Sequence, residues 1–73
     1  MSRLSNYLTI QRRRTGRSMV AVAGIVGVTK STIHRYENGA AVPPLDRCGA
    51  LAEGYDVPVS ALQPMMEAAQ VTR

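Results

Sequence analysis

The sequence predicts an all-α fold of five short helices, and three observations carry that prediction. Apolar residues recur at spacings of three and four, and no apolar–polar alternation lasts long enough to make a strand. Ser18 and Thr29 can cap helix starts, while Gly27, Gly39 and the prolines supply stops. The 73 residues include no Phe or Trp and only three Tyr, so the core must be aliphatic, with helices meeting closely through Ala, Val and Gly.

The first helix is predicted over residues 4–14, a stretch free of Gly and Pro. Leu4, Tyr7, Leu8 and Gln11 share one stripe there, and the helix ends near Thr15 and Gly16. Ser18 can accept from the exposed amides of a second helix over residues 19–26, after which Gly27 turns the chain. Thr29 caps a third helix running from residue 30 to about residue 38, and Gly39 can take the left-handed backbone that ends it.

Pro44 suits the first turn of a fourth helix over residues 44–54, with Leu45, Cys48, Leu51, Ala52 and Tyr55 at spacings of three and four. Pro58 starts a fifth over residues 58–62, turning Val59 and Leu62 inward; Pro64 then interrupts it before "MMEAAQV" resumes helix. The expected organisation is a single domain, residues 1–63, with a helical, dimer-contributing tail at 64–73. A domain of this size buries only roughly 60–65% of its unfolded surface, so partner subunits matter to its stability.

Charge is distributed unevenly. Residues 1–36 hold seven Arg or Lys and no acid, a charge of +7, whereas residues 37–73 hold two bases and five acids, a charge of −3. A solvated face ordinarily mixes its signs, so an acid-free basic half points to a polyanion, nucleic acid above all. The one cysteine, Cys48, forms no internal disulfide and reads as a small buried hydrophobe in a reducing compartment. "MSRLSNYLT" lacks an apolar signal core, and the longest apolar stretch, residues 19–28, is about half of the ~20 residues a membrane span needs, so a cytoplasmic protein without membrane contact is expected.

The stretch "VAGIVGVTKSTIHRYENG" joins a core-like run to lysine, histidine and arginine. Two helices crossing steeply through a tight turn need a small residue at the crossing and a Gly able to take positive φ, supplied by Ala23 and Gly27. Val22, Val26, Val28, Ile33 and Tyr36 anchor the pair, leaving Lys30, Ser31, Thr32, His34 and Arg35 outward. With "VPPL", "LA" and "YDVPVSAL" downstream, the chain from about residue 4 to residue 62 resembles the Cro and phage-repressor type of helix-turn-helix domain, the lambda-repressor-like, XRE-like DNA-binding family.

The resemblance implies that the third helix enters the major groove, with Lys30, Ser31, Thr32 and Arg35 near base edges. Arg35 has the planar fork that matches guanine O6 and N7, with phosphate contact as its alternative role, and Lys30 can reach the same acceptors. Ser18, Met19 at the start of the second helix, Thr29, His34 and Asn38 are expected at phosphates, His34 alternatively in solvent. Arg13, Arg14 and Arg17 are expected to meet phosphates or to form a solvated helix end. Arg12 and Glu37 occupy positions that pair as a structural ion bridge in similar repressors.

Two departures from the family stand out. Ala40, Ala41 and Val42 follow the third helix where Lys or Arg is frequent, which shifts phosphate anchoring toward the N-terminal basic cluster. The outward positions of the second helix, usually Gln, Glu and Lys, are Met19, Val20, Ala21, Gly24 and Ile25; Met19 cannot donate to a phosphate as Gln does. Val20 and Ile25 are therefore read either as core or as an exposed patch for a protein partner.

The expected function is a sequence-specific regulator of transcription bound to double-stranded DNA, a repressor acting as a homodimer on a palindromic operator. A chain this short leaves no room for a sensor domain, so operator occupancy alone is the expected mode. Val59, Leu62, Met65 and Met66 are the candidate dimer anchors, though such residues also fill ordinary cores. The other reading is an antitoxin or accessory module that binds a protein as well as DNA. No nucleophile turn, phosphate loop or catalytic carboxylate pair is present, so neither an enzyme nor a cofactor or metal is expected.

Overall fold

The computed structural model describes residues 3–71. Among these residues five α-helices follow one another: α1 Arg3–Thr15, α2 Met19–Val26, α3 Lys30–Glu37, α4 Cys48–Tyr55 and α5 Val59–Val71. A 3-10 turn, Leu45–Arg47, leads into α4. No strand occurs among the described residues.

Local chemistry sets the first three helices. Ser18 accepts the Ala21 amide and Thr29 the Thr32 amide, so each cap satisfies an N–H that the helix itself cannot. Gly27 stops α2 with φ 86°, a backbone angle that costs a residue with a Cβ about 1–2 kcal/mol. Its N–H and that of Val28 both return to the Ala23 carbonyl, at 2.8 and 3.0 Å. The chain thereby turns within three residues, and α3 starts in a direction fixed by α2.

Packing then assembles the helices around α4. α2 lies on both α3 and α4, while α1 braces α3, α4 and α5 from behind. Leu8, Val22, Ile33, Leu51, Tyr55 and Leu62 are each fully buried, drawing one core from all five helices. Gly54 marks a close approach: a Cβ there would lie 2.8 Å from Val26 Cγ2 and 3.3 Å from Val22 Cγ1. Glycine at this position is what lets α2 sit down on α4.

Three expectations are corrected. The fourth helix does not begin at Pro44; Pro44 precedes the 3-10 turn, and regular α-helix starts at Cys48. It ends one residue later than expected, with Asp56 rather than a glycine in left-handed backbone at φ 55°. Pro64 does not break the fifth helix, which runs through it from Val59 to Val71. Losing the bond to the Ser60 carbonyl, with the ring's clash against it, costs about 3 kcal/mol or more. Burying Leu62 and Met66 on either side of it returns roughly 1.5–3 kcal/mol each.

Of the two roles that the sequence left open for Leu62 and Met66, dimer anchor or ordinary core, the burial is that of core. Leu62 and Met66 are inside this chain's own core and present no surface to a second copy. Val59 is exposed and Met65 half-buried. Residues 72 and 73 of the expected tail lie outside the described residues.

Candidate nucleic-acid interface

The inward face of α3 is Ile33, Tyr36 and Glu37, all buried. Helical periodicity then turns Lys30, Ser31, His34 and Arg35 outward, and these four line one open concavity. Thr32 sits at the edge, half-buried, with its hydroxyl 3.0 Å from that of Thr29. The two hydroxyls share one hydrogen between them, which leaves a second hydrogen to donate outward.

Beyond the helix, Asn38 serves the turn. Its Oδ1 accepts the Ala40 amide at 2.9 Å, and its Nδ2 stands 3.5 Å from His34 Nδ1. Ser18 is exposed with its oxygen on the Ala21 amide, so its hydroxyl hydrogen remains available. Met19 is half-buried and packs against the core, so its side chain is scaffold. What that helix start offers an anion is backbone: the first amides of α2 have no carbonyl of their own helix to bond.

The arginines divide. Arg13 and Arg14 are exposed at the end of α1. Arg17, grouped with them in the sequence, is engaged elsewhere: its Nη1 donates to the carbonyls of Glu53 and Gly54 at 3.0 and 2.7 Å. A guanidinium on the last carbonyls of α4 caps that helix and complements its dipole. The expectation of a solvent-facing, phosphate-seeking Arg17 is corrected accordingly.

Arg12 and Glu37 meet at 2.7 Å, Nε to Oε2. The hydrogen bond to Glu37 raises the Arg12 pKa further above its already basic range. Tyr55, which sequence reading placed only in the core, donates its hydroxyl to the same Oε2 at 2.8 Å. Burial first, and then the bond to Glu37, push the Tyr55 phenol well above its ordinary pKa, so it stays a donor. The signal for Tyr55 was the phenol itself, since a buried hydroxyl needs a partner. Cys48 is buried as expected, and that burial, followed by Glu67, raises its pKa away from thiolate chemistry.

Electrostatics follow from this sorting. Glu37 is buried against Arg12, and the exposed carboxylates among the described residues (Asp46, Glu53, Asp56 and Glu67) all lie after α3. Arg3, Arg13, Arg14, Lys30 and Arg35 are exposed on α1 and α3 without an exposed acid on α1, α2 or α3. Between those helices, α2 shows no charge at all: Val20 is 62% and Ile25 41% exposed, with Ala21 and Gly24 open beside them.

Among the described residues no cluster of His, Cys, Asp and Glu could hold a metal ion. No helix among them is long and apolar enough to cross a membrane. A family model described as a helix-turn-helix domain matches residues 3–72. No curated protein and no solved structure gives a significant match. The match spans α1 to α5, with the tight turn at Gly27 and the outward basic face of α3 inside it: the chain belongs to the helix-turn-helix domain family of DNA-binding proteins.

Proposed function

We propose that this chain is a sequence-specific regulator of transcription, acting as a repressor by occupying a double-stranded operator. The observation that carries the reading is the outward face of α3, where Lys30, Ser31, His34 and Arg35 share one concavity with no acid among them. Arg35 and Lys30 are the base readers, able to donate to guanine O6 and N7. Ser31 assists them, and Thr32, its hydroxyl turned to Thr29, offers its methyl group to thymine. Arg13, Arg14, Ser18, Thr29, His34 and Asn38 position the domain through phosphates, which carry affinity and not sequence.

One recognition helix spans only about half of an operator, so a homodimer with its α3 helices ~34 Å apart on a palindromic site is the matching assembly. Val59 and Met65 on α5 are the accessible candidates for its interface. The protein acts in the cytoplasm by binding, without catalysis or cofactor. DNA selected from a random pool supplies the operator for the test. Arg35→Ala should then cost roughly 1–3 kcal/mol on that operator and relax one base position, whereas Arg14→Ala should weaken all duplexes alike and reduce the logarithmic salt slope by ~0.9. Equal effects of the two would refute the division of labour.

A second reading is favoured by the exposed apolar face of α2. In it the domain is an antitoxin or accessory module that docks an apolar segment of a partner protein on Val20 and Ile25. Replacing both by Gln should abolish that contact while DNA binding survives; loss of both together would sink it.

A further inference from the structure

Glu37 closes α3 from the inside. Two donors converge on its Oε2, Arg12 Nε at 2.7 Å and the Tyr55 hydroxyl at 2.8 Å. Oε1 is buried with no hydrogen-bond partner among the described residues, so the carboxylate is held through Oε2 alone. Its orientation depends on those two contacts, and they come from different helices.

The contacts continue into a ring. Arg12 Nη1 donates to the Arg17 carbonyl at 3.2 Å, just ahead of α2. Arg17 donates to the carbonyls of Glu53 and Gly54, the residues that lead directly into Tyr55. Thr9 of α1 adds a longer hydrogen bond, 3.4 Å, to the Glu37 carbonyl. The end of α1, the start of the helix-turn-helix, the end of α3 and the end of α4 are thus tied to one another through polar atoms, independently of the apolar core.

We propose that Tyr55 is a positioning residue for DNA reading: acting through Glu37, it sets the pitch of α3 and so determines which base edges Lys30 and Arg35 reach. This rests on the DNA-reading function proposed above. Tyr55 is fully buried, and its hydroxyl donates to Glu37, so its effect passes through Glu37. The lever is short but sufficient. α3 has eight residues, and a helix of that length is about 12 Å long, so a tilt of about 10° at the Glu37 end moves its first turn by about 2 Å. A base-edge hydrogen bond tolerates only about 0.5 Å of spread. Long side chains following phosphates absorb such a shift, so discrimination between sequences suffers before affinity does.

The test is Tyr55→Phe, which keeps the ring in the core and removes only the donor. Affinity is measured on the sequence that the wild type selects from a random pool and on a scrambled duplex of equal length, with circular dichroism reporting the fold. The ratio of the two affinities should fall about five- to tenfold, the low end of what one misread base pair costs. Scrambled-duplex affinity and its salt slope should stay unchanged. A purely structural role lowers the folded fraction, which scales both affinities alike and leaves the ratio unmoved; that result overturns the proposal, and the ratio remains readable even if the variant is partly unfolded. Leu62→Val, a core change on α5 at a side chain that makes none of the ring's hydrogen bonds, is the control and should leave the ratio intact; an equal drop there also overturns it. A wild type that fails to discriminate the duplexes sinks the DNA-reading function itself, an outcome visible before any variant is made.

Discussion

Helices α2 and α3 have the same length, eight residues, and the same kind of start, a hydroxyl accepting the amide three residues on. Each buries three residues: Val22, Ala23 and Val26 in one, Ile33, Tyr36 and Glu37 in the other. Their outward faces share nothing. α3 presents Lys30, Ser31, His34 and Arg35, and α2 presents Val20, Ala21, Gly24 and Ile25. The inward faces suffice to build the motif, so the outward faces are free to match what they touch. The outward face of α3 is basic and suits a polyanion, whereas that of α2 carries no charge.

Ile33 and Ile25 give the sharpest test of that division, because the same substitution can be made on each helix. Ile33 is fully buried and Ile25 is 41% exposed. Ile33→Ala should cost about 2–5 kcal/mol, a transfer loss plus a cavity. That is a large share of the ~4–11 kcal/mol expected for a domain of this size. Ile25→Ala should stay within about 0.5 kcal/mol, since alanine gains helix propensity at an exposed site. Thermal melts of the two variants check it, each kcal/mol moving the midpoint by about 4–8 °C. Comparable losses at both positions would erase the distinction between the inward face of α3 and the outward face of α2.

A second test probes the inner end of α3, where Tyr55 donates to Glu37. The phenol's folded pKa is raised above its ordinary value of about 10, chiefly by burial. Above that pH the unfolded chain has released this proton while the native chain keeps it, so the native state binds more protons and stability falls as pH rises. Below pH ~10 the contribution is fully present; above it the loss is up to about 1.4 kcal/mol per pH unit. Cys48, also raised by burial, adds a limb of the same sign from a lower pH. Urea denaturation between about pH 8 and about pH 11, either side of the ordinary phenol pKa of about 10, should therefore show a steeper alkaline decline in wild type than in Tyr55→Phe. Parallel declines would mean that the phenol is not held as the structure has it.

The same contrast explains what the sequence made legible. The bounds of α2, the start of α3 and the turn between them depend on Ser18, Gly27 and Thr29, whose hydrogen bonds reach only a few residues along the chain. The outward face of α3 followed from spacing alone. Arg17 could not be placed that way, because its partners are 36 and 37 residues away and exist only once α4 is docked. Tyr55 read as an apolar stripe residue for the same reason, and no local signal marked Gly54 as the residue that lets Val22 and Val26 approach. Pro64 misled because proline is a strong local signal, yet burial of Leu62 and Met66 outweighs it. Local chemistry was readable; contacts made by tertiary packing were not.

The smallest expected effect on stability is the most informative about α2. Val20 and Ile25 lie 62% and 41% exposed on a helix with no charged residue, and Gly24 between them has open space where a Cβ would stand. Val20→Gln with Ile25→Gln removes the apolar surface without adding charge, so the field that α1 and α3 present to DNA is unchanged. Glutamine also ranks above valine and isoleucine in helix propensity, by a few tenths of a kcal/mol. The double variant should therefore melt within about 2–4 °C of wild type, corresponding to ~0.5 kcal/mol. It should also bind the selected DNA as wild type does. If it instead loses several kcal/mol, the two side chains belong to a core that these contacts do not reveal. If stability holds and DNA affinity falls, the face of α2 lies against the duplex, and the apolar surface serves DNA binding after all. Retention of both leaves the face available for a protein partner, since an apolar surface that contributes neither to folding nor to DNA binding has no use inside this chain.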